Sequence, residues 1–184
     1  GQLIRRNPDF DMDSRLLLDK IDWKQHCFTD EAGTWPLREL PPLHLCEKDA
    51  YALSEAENAV VQELVEAFRQ SLRLQRQVEF LYEQGRMYRC CNQNLLFHGC
   101  IPMTEEGAFR PVKIEGIKRS GRSLMDALDA LARRAYFSGD TKAVDAMWYL
   151  WCAAYSPLCG RRIKTFQRYF TQDEAAWKEP RDPY

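Results

Sequence analysis

The longest periodic stretch sets the first limit on what this chain can fold into. Ser54-Glu55-Ala56-Glu57 is a capping box, in which a serine hydroxyl and the glutamate three residues on satisfy backbone amides left open at a helix start. From there Val60, Leu64, Phe68 and Leu72 recur every four residues, and Val78, Leu81 and Tyr82 continue the stripe to Gly85, a natural stop. As one helix this segment would be about 45 Å long. A compact domain of 184 residues needs no helix of that length, so one end is expected to pack outside the central core. The stripe itself reads as a core face.

The rest of the chain divides around that helix. Residues 1–53 read as an N-terminal helix and an extended connector. Asp11 and Asp13 precede apolar positions 17, 18 and 21, which predicts one short helix from Ser14 to Ile21. Between Trp23 and Leu45, apolar stubs are broken by Asp30, Gly33 and three prolines, which predicts a hairpin about Glu31-Ala32-Gly33 and then extended chain. Residues 54–184 add a hairpin about Asn92-Gln93 and a strand from Phe109 to Ile114 followed by a basic loop from Gly116 to Gly121. A helix from Ser123 carries Leu124, Leu128, Leu131 and Ala135 on one face and stops at Gly139. Asp140 or Thr141 then caps another helix that runs through Trp148 and Trp151, both read as core anchors. The expected class is α+β, mostly helical, with one or two β-hairpins.

Charge and cysteine content narrow the function classes. Lysine and arginine (26) against aspartate and glutamate (27) leave a net charge of −1, so nothing pulls the whole surface toward nucleic acid or an anionic membrane. Anion binding must be local. No apolar run is long enough to span a bilayer and the first residues lack a signal-peptide core, which gives the expectation of a soluble, cytoplasmic chain. Seven cysteines without a C-x-x-C pair fit a reducing compartment, with thiols packed as small hydrophobes. Cys90-Cys91 lacks the second pair a zinc site needs. The chain opens on Gly1 rather than methionine, which suggests a piece of a longer protein.

Only three histidines are present. His26 and His44 lie in the N-terminal connector with no acid or cysteine at ligand spacing, and read as surface residues. His98 follows Leu95-Leu96-Phe97 and precedes Gly99, which places its ring at the end of an apolar, buried strand with room beside the backbone. Spacing alone leaves two roles open for it, a hydrogen-bonded structural residue or a ligand. Arg161, Arg162 and Lys164 fit either a phosphate contact or a solvated loop. Asn92 and Asn94 fit either turn residues or groups that orient a phosphate. Arg110, Lys113, Lys118, Arg119 and Arg122 read as a solvated hairpin.

Longer phrases resemble a known family. Asn94-Leu-Leu-Phe-His-Gly-Cys-Ile-Pro102, Trp148-Tyr-Leu-Trp-Cys152, Ser156-Pro-Leu-Cys-Gly160, Thr165-Phe-Gln-Arg-Tyr-Phe170, Lys178-Glu-Pro-Arg-Asp-Pro-Tyr184 and the opening Asn7 to Asp22 are similar to class III fructose-1,6-bisphosphatases of the calcineurin-like metallophosphoesterase superfamily. The resemblance implies that this is an internal part of an α/β sandwich with a helical insert. It implies hydrolysis of the 1-phosphate of fructose 1,6-bisphosphate, a step of gluconeogenesis, at two divalent ions, Mn2+ or Mg2+. His98 would be a metal ligand, while Asn94, Arg161, Arg162 and Lys164 stay candidate substrate contacts. The superfamily's other ligand motifs are not in the sequence; Gly139-Asp140 has no Asp-Arg at the required spacing, and Asp140 reads as a cap. The implied partners are the sugar bisphosphate, the rest of the parent polypeptide and a possible second copy, with no nucleic acid and no membrane. The piece alone is expected to be inactive and to expose apolar surface. A reading of another class stays open, a non-catalytic helical module for regulation or oligomerisation.

Overall fold

Arg15 decides the shape of the N-terminal stretch. The computed structural model describes residues 1–41 and 50–178, so His44, the end of the connector and the chain beyond Lys178 lie outside it. It forms two units, residues 51–86 and the rest. After α1 (Gln2–Arg6) come three 3-10 turns, Pro8–Phe10, Asp13–Arg15 and Leu18–Lys20, where one helix from Ser14 to Ile21 was expected. The Arg15 guanidinium donates to the carbonyls of Cys152 and Ile163, both at 3.1 Å, so distant partners hold the backbone out of helical register. Ile21 then enters β1 (Ile21–Asp22), which pairs with β2 (Cys27–Asp30), and β2 pairs with β3 (Gly33–Pro36) through the expected turn. This antiparallel sheet buries Phe28 completely, against Ile21, Leu37, Phe166 and Phe170.

Within residues 51–86 the expected 45 Å helix is two helices, α2 (Glu55–Gln70) and α3 (Leu72–Gln84). The capping box forms as read, with Glu57 N–H donating to Ser54 Oγ at 3.2 Å and Ser54 N–H to Glu57 Oε2 at 2.8 Å. The break falls at Ser71, whose hydroxyl accepts from Leu74 N–H at 3.3 Å and so starts a second helix. The Gln75 side chain satisfies the carbonyl of Arg69 left open by the interruption. Serine competes with helix continuation by this kind of local bond. The apolar stripe is not a core: Val60, Leu64, Phe68 and Leu72 are exposed, Phe68 by 63%. Gly85 ends α3 with φ −68°, without the left-handed turn expected of a C′ glycine.

The other unit continues with β4 (Tyr88–Cys91) and β5 (Asn94–Phe97), joined by Asn92 and Gln93, both in the left-handed region as a two-residue hairpin turn demands. The second hairpin is β6 (Val112–Ile114) with β7 (Ile117–Arg119), so the expected basic loop is a strand. The described strands form three separate antiparallel pieces. Next, α4 (Gly121–Ser138) starts two residues before the expected Ser123, because Ser120 is the cap and Ser123 Oγ bonds its backbone on both sides. Gly139 stops it with φ 65°. Asp140 caps α5 (Thr141–Cys152), accepting from Ala143 N–H at 2.8 Å.

Helices α4 and α5 pack together, burying Leu124, Leu128, Leu131 and Ala135 on one side and Ala143, Ala146 and Leu150 on the other. That face of α5 turns Trp148 and Trp151 outward, 41% and 77% exposed, rather than into the core. The described thiols are free and split by position: Cys100 and Cys152 are buried, while Cys90 and Cys91 lie exposed on β4, contrary to the reading of all as packed hydrophobes. The short α6 (Thr165–Phe170) closes the sheet, with Leu37 bridged to Thr171. No described helix is long and apolar enough to cross a membrane.

Candidate functional site

His98 and Arg161 belong to stretches that are locked together by backbone. Gly99 and Cys100 both donate N–H to the carbonyl of Pro157, at 2.9 and 3.1 Å. A Cβ on Gly99 would stand 2.5 Å from that same oxygen, so the glycine after His98 is required by close approach. On the other side, Gly160 sits at φ 64° with the space for its Cβ only 3.0 Å from the Cβ and Sγ of Cys100. The buried Ser156 hydroxyl donates to Leu150 O and accepts from Leu158 N–H, which fixes the turn to the end of α5. Burial pushes the Cys100 thiol up to about 11, and the neighbouring Cys159 adds to this, so Cys100 packs as a neutral thiol in this clamp.

His98 itself is exposed, as is every residue of β5, so the expected buried strand is an open ribbon. Asn94 lies at the opposite end of β5, about 13 Å away along the strand. Its side chain donates to Asn92 O at 3.1 Å, and the two do not meet. Among the described residues no group of three or more histidine, cysteine, aspartate or glutamate side chains could hold a metal ion. His98 therefore fits as a single donor, and no reaction step follows from the described residues through a metal.

The basic residues after Gly160 separate into two kinds. Lys164 donates to Asp30 Oδ2 at 3.0 Å, with 20% and 7% of the two side chains exposed, and Arg162 stands 3.8 Å from Glu31. These two tie the loop to the β2–β3 hairpin. Burial alone would raise Asp30, but donors from Trp35, Lys164 and Ala32 outweigh it and hold the carboxyl below its ordinary value. Arg161 faces instead a cleft of about 740 Å3, lined also by Arg38, Lys164, Arg168, Tyr169 and Trp177. Arg38 reaches it because its N–H bonds Phe170 O at 2.7 Å, and its guanidinium lies over the Trp177 ring at 5.9 Å. The second basic run is not wholly solvated: Arg110 packs over Tyr155 at 4.4 Å. Sequence reasoning missed Arg38 and Arg168, whose only sequence signal is their charge, and Asp30, which it read as a turn residue.

Several of the described phrases that carry the resemblance are joined to one another. The opening segment joins α5 through Asp145, which is buried and accepts from Arg6 Nε at 2.6 Å and Asn7 Nδ2 at 2.7 Å. Through Arg15 it also reaches Cys152 and Ile163, and the His98 phrase sits on the Ser156 phrase. A family model described as Firmicute fructose-1,6-bisphosphatase matches residues 1–184. The chain belongs to this family. Among fructose-1,6-bisphosphatases it is 40% identical over 190 residues to the class 3 proteins of Clostridium novyi (strain NT) and Clostridium tetani (strain Massachusetts / E88), covering 100% of this chain and 29% of each relative. The class 3 protein of Clostridium botulinum (strain Langeland) is also 40% identical, with 28% of its length covered. The chain therefore spans less than a third of these relatives. No solved structure matches it.

Proposed function

We propose that this chain serves in the hydrolysis of fructose 1,6-bisphosphate to fructose 6-phosphate and phosphate, a cytoplasmic step of gluconeogenesis. The observation that carries the reading is the family match over residues 1–184. Within it, His98 would give one ligand to a divalent ion, Mn2+ or Mg2+, as the resemblance to calcineurin-like metallophosphoesterases implies, and such ions would supply charge stabilisation for phosphoryl transfer. The Gly99–Pro157 clamp holds the backbone beside that imidazole, and Arg161 is the candidate phosphate contact. Arg162 and Lys164 position the loop, and Asn94 orders the hairpin turn. Activity is assigned to the protein that carries this chain, because the described residues bring together no group of three or more side chains that could hold a metal, and the chain alone is expected to be inactive. 31P NMR of that protein with fructose 1,6-bisphosphate and Mn2+ tests it. Loss of the C1 phosphate resonance with growth of fructose 6-phosphate is expected; retention of both esters, or cleavage at C6, contradicts it.

A second reading is favoured by one observation on residues 51–86. Val60, Leu64, Phe68 and Leu72 form an exposed apolar row along α2 and the start of α3, with Phe80 and Leu81 exposed beyond it. A second copy that laid the same row against this one would cover these side chains on both. Phe68→Glu is expected to shift a dimer to monomer by at least about tenfold in dissociation constant, since a charge would then be buried in the apolar contact. Sedimentation velocity reads this; an unchanged profile, or a wild-type monomer, contradicts it.

A further inference from the structure

We propose that Cys100 and Cys159 are a peroxide-responsive thiol pair, which closes to a disulfide and locks the turn after His98 onto the loop from Ser156 to Gly160. The two cysteines are far apart in sequence and meet at one backbone oxygen. Ser156 O accepts from the Cys100 thiol at 3.5 Å, from the Cys159 N–H at 3.1 Å and from the Gly160 N–H at 2.9 Å. A Cβ at position 160 would stand 3.0 Å from both the Cβ and the Sγ of Cys100, and the Cys159 Cα lies one residue, about 3.8 Å, before it. Disulfides join Cα atoms roughly 4.4–6.8 Å apart, a span of this order. The thiols also feel each other, since charge on Cys159 adds to the upward push that burial gives Cys100.

Position divides the labour between them. Cys159 is half-buried, so hydrogen peroxide reaches it, whereas Cys100 is 2% exposed and reacts only with a partner already inside the clamp. The Cys159 thiolate attacks one peroxide oxygen, the O–O bond breaks, and a sulfenic acid remains; the hydroxide released takes up the proton that Cys159 gave. The Cys100 sulfur then attacks the Cys159 sulfur, the S–O bond breaks, and the departing hydroxide leaves with the Cys100 proton as water. Two thiols lose two electrons and peroxide becomes two waters. Ser156 O gives up one thiol donor in this step and keeps two amides, so no buried acceptor is left open. The other described thiols are placed less well. Cys152 donates to Trp148 O at 3.1 Å and has the Arg15 guanidinium against its sulfur. Cys90 and Cys91 are consecutive on a strand and so point to opposite faces. In a reducing compartment such a bond is transient, as a sensor requires. The chemistry needs neither a metal nor a sugar phosphate.

Hydrogen peroxide added to the reduced 184-residue chain, followed by alkylation and non-reducing peptide mass spectrometry, tests this. The expected product is an intrachain Cys100–Cys159 peptide pair, lighter by the two thiol hydrogens and separated again by dithiothreitol. Cys159→Ser should abolish the link, and Cys100→Ala should leave Cys159 as a sulfenic acid that dimedone traps. Cys152→Ala should form the link as the parent does. Circular dichroism confirms that each variant is folded, and Cys159→Ser, at the half-buried position, carries the test if Cys100→Ala does not fold. The oxidised chain should also melt at a higher temperature than the reduced one, because the link closes a long loop in the unfolded chain. Absence of the Cys100–Cys159 peptide, or Cys159 joined only to Cys152 or to another chain, would overturn the pair. A melting temperature unchanged or lowered by oxidation would overturn the lock.

Discussion

A methyl group on Gly99 would meet the Pro157 carbonyl oxygen at 2.5 Å, with the Leu158 backbone at 3.2 Å behind it. Backbone on both sides cannot yield as a side-chain tip can, so Gly99→Ala is expected to cost about 1–3 kcal/mol by overpacking. Thermal denaturation checks this; a melting temperature equal to that of the parent would mean the clamp is slack. The residue after His98 was legible in the sequence as a glycine that gives backbone room. Its partner was not, because Pro157 is distant in sequence and nothing in a carbonyl oxygen is visible in residue type. The same holds for Lys164 and Asp30, 134 positions apart. A basic knot could be read, but not which of its members has an acid.

At the scale of elements, the short-range signals read well and the long-range ones did not. The Ser54 capping box, the Asn92-Gln93 turn and the Asp140 cap each need only neighbours within three residues, and each forms. The Ser14–Ile21 helix fails because Arg15 is claimed by carbonyls beyond residue 150. Trp148 and Trp151 fail because packing on α4 sets the rotation of α5, and a tryptophan's size says nothing of its direction. The cap reading of Asp140 has its own test. Asp140→Ala should lower stability by about 1 kcal/mol, while Asp140→Asn keeps an acceptor and should cost only tenths of that. Equal losses in urea denaturation would argue against a cap.

Across the whole molecule, segments far apart in sequence are held by carboxylates at low exposure, and this predicts how the chain meets acid. The Arg6 guanidinium, followed by the Asn7 amide, holds Asp145 below the ordinary carboxylate range against the opposing effect of burial, and Asp30 is lowered as well. A carboxyl lowered in the folded state stabilises it fully above the unfolded value, about 3.9, and that stability disappears as pH falls through the lowered folded value. Stability should therefore drop below about pH 4, and Asp145→Asn should flatten the drop while lowering stability at neutral pH. Urea midpoints from pH 7 to pH 2 measure this; parallel curves for the variant and the parent would contradict it.

Family membership rests on the match over residues 1–184, and the proposed chemistry stands on the imidazole beside the clamp of Gly99 on Pro157. The direct measurement is phosphate release from fructose 1,6-bisphosphate as Mn2+ is titrated into the protein carrying this chain, with His98→Ala beside Trp151→Ala as an exposed control. Loss of a ligand should weaken metal dependence and activity by at least about 100-fold in His98→Ala and leave Trp151→Ala within about twofold. Two variants with the same Mn2+ midpoint and the same rate would contradict it.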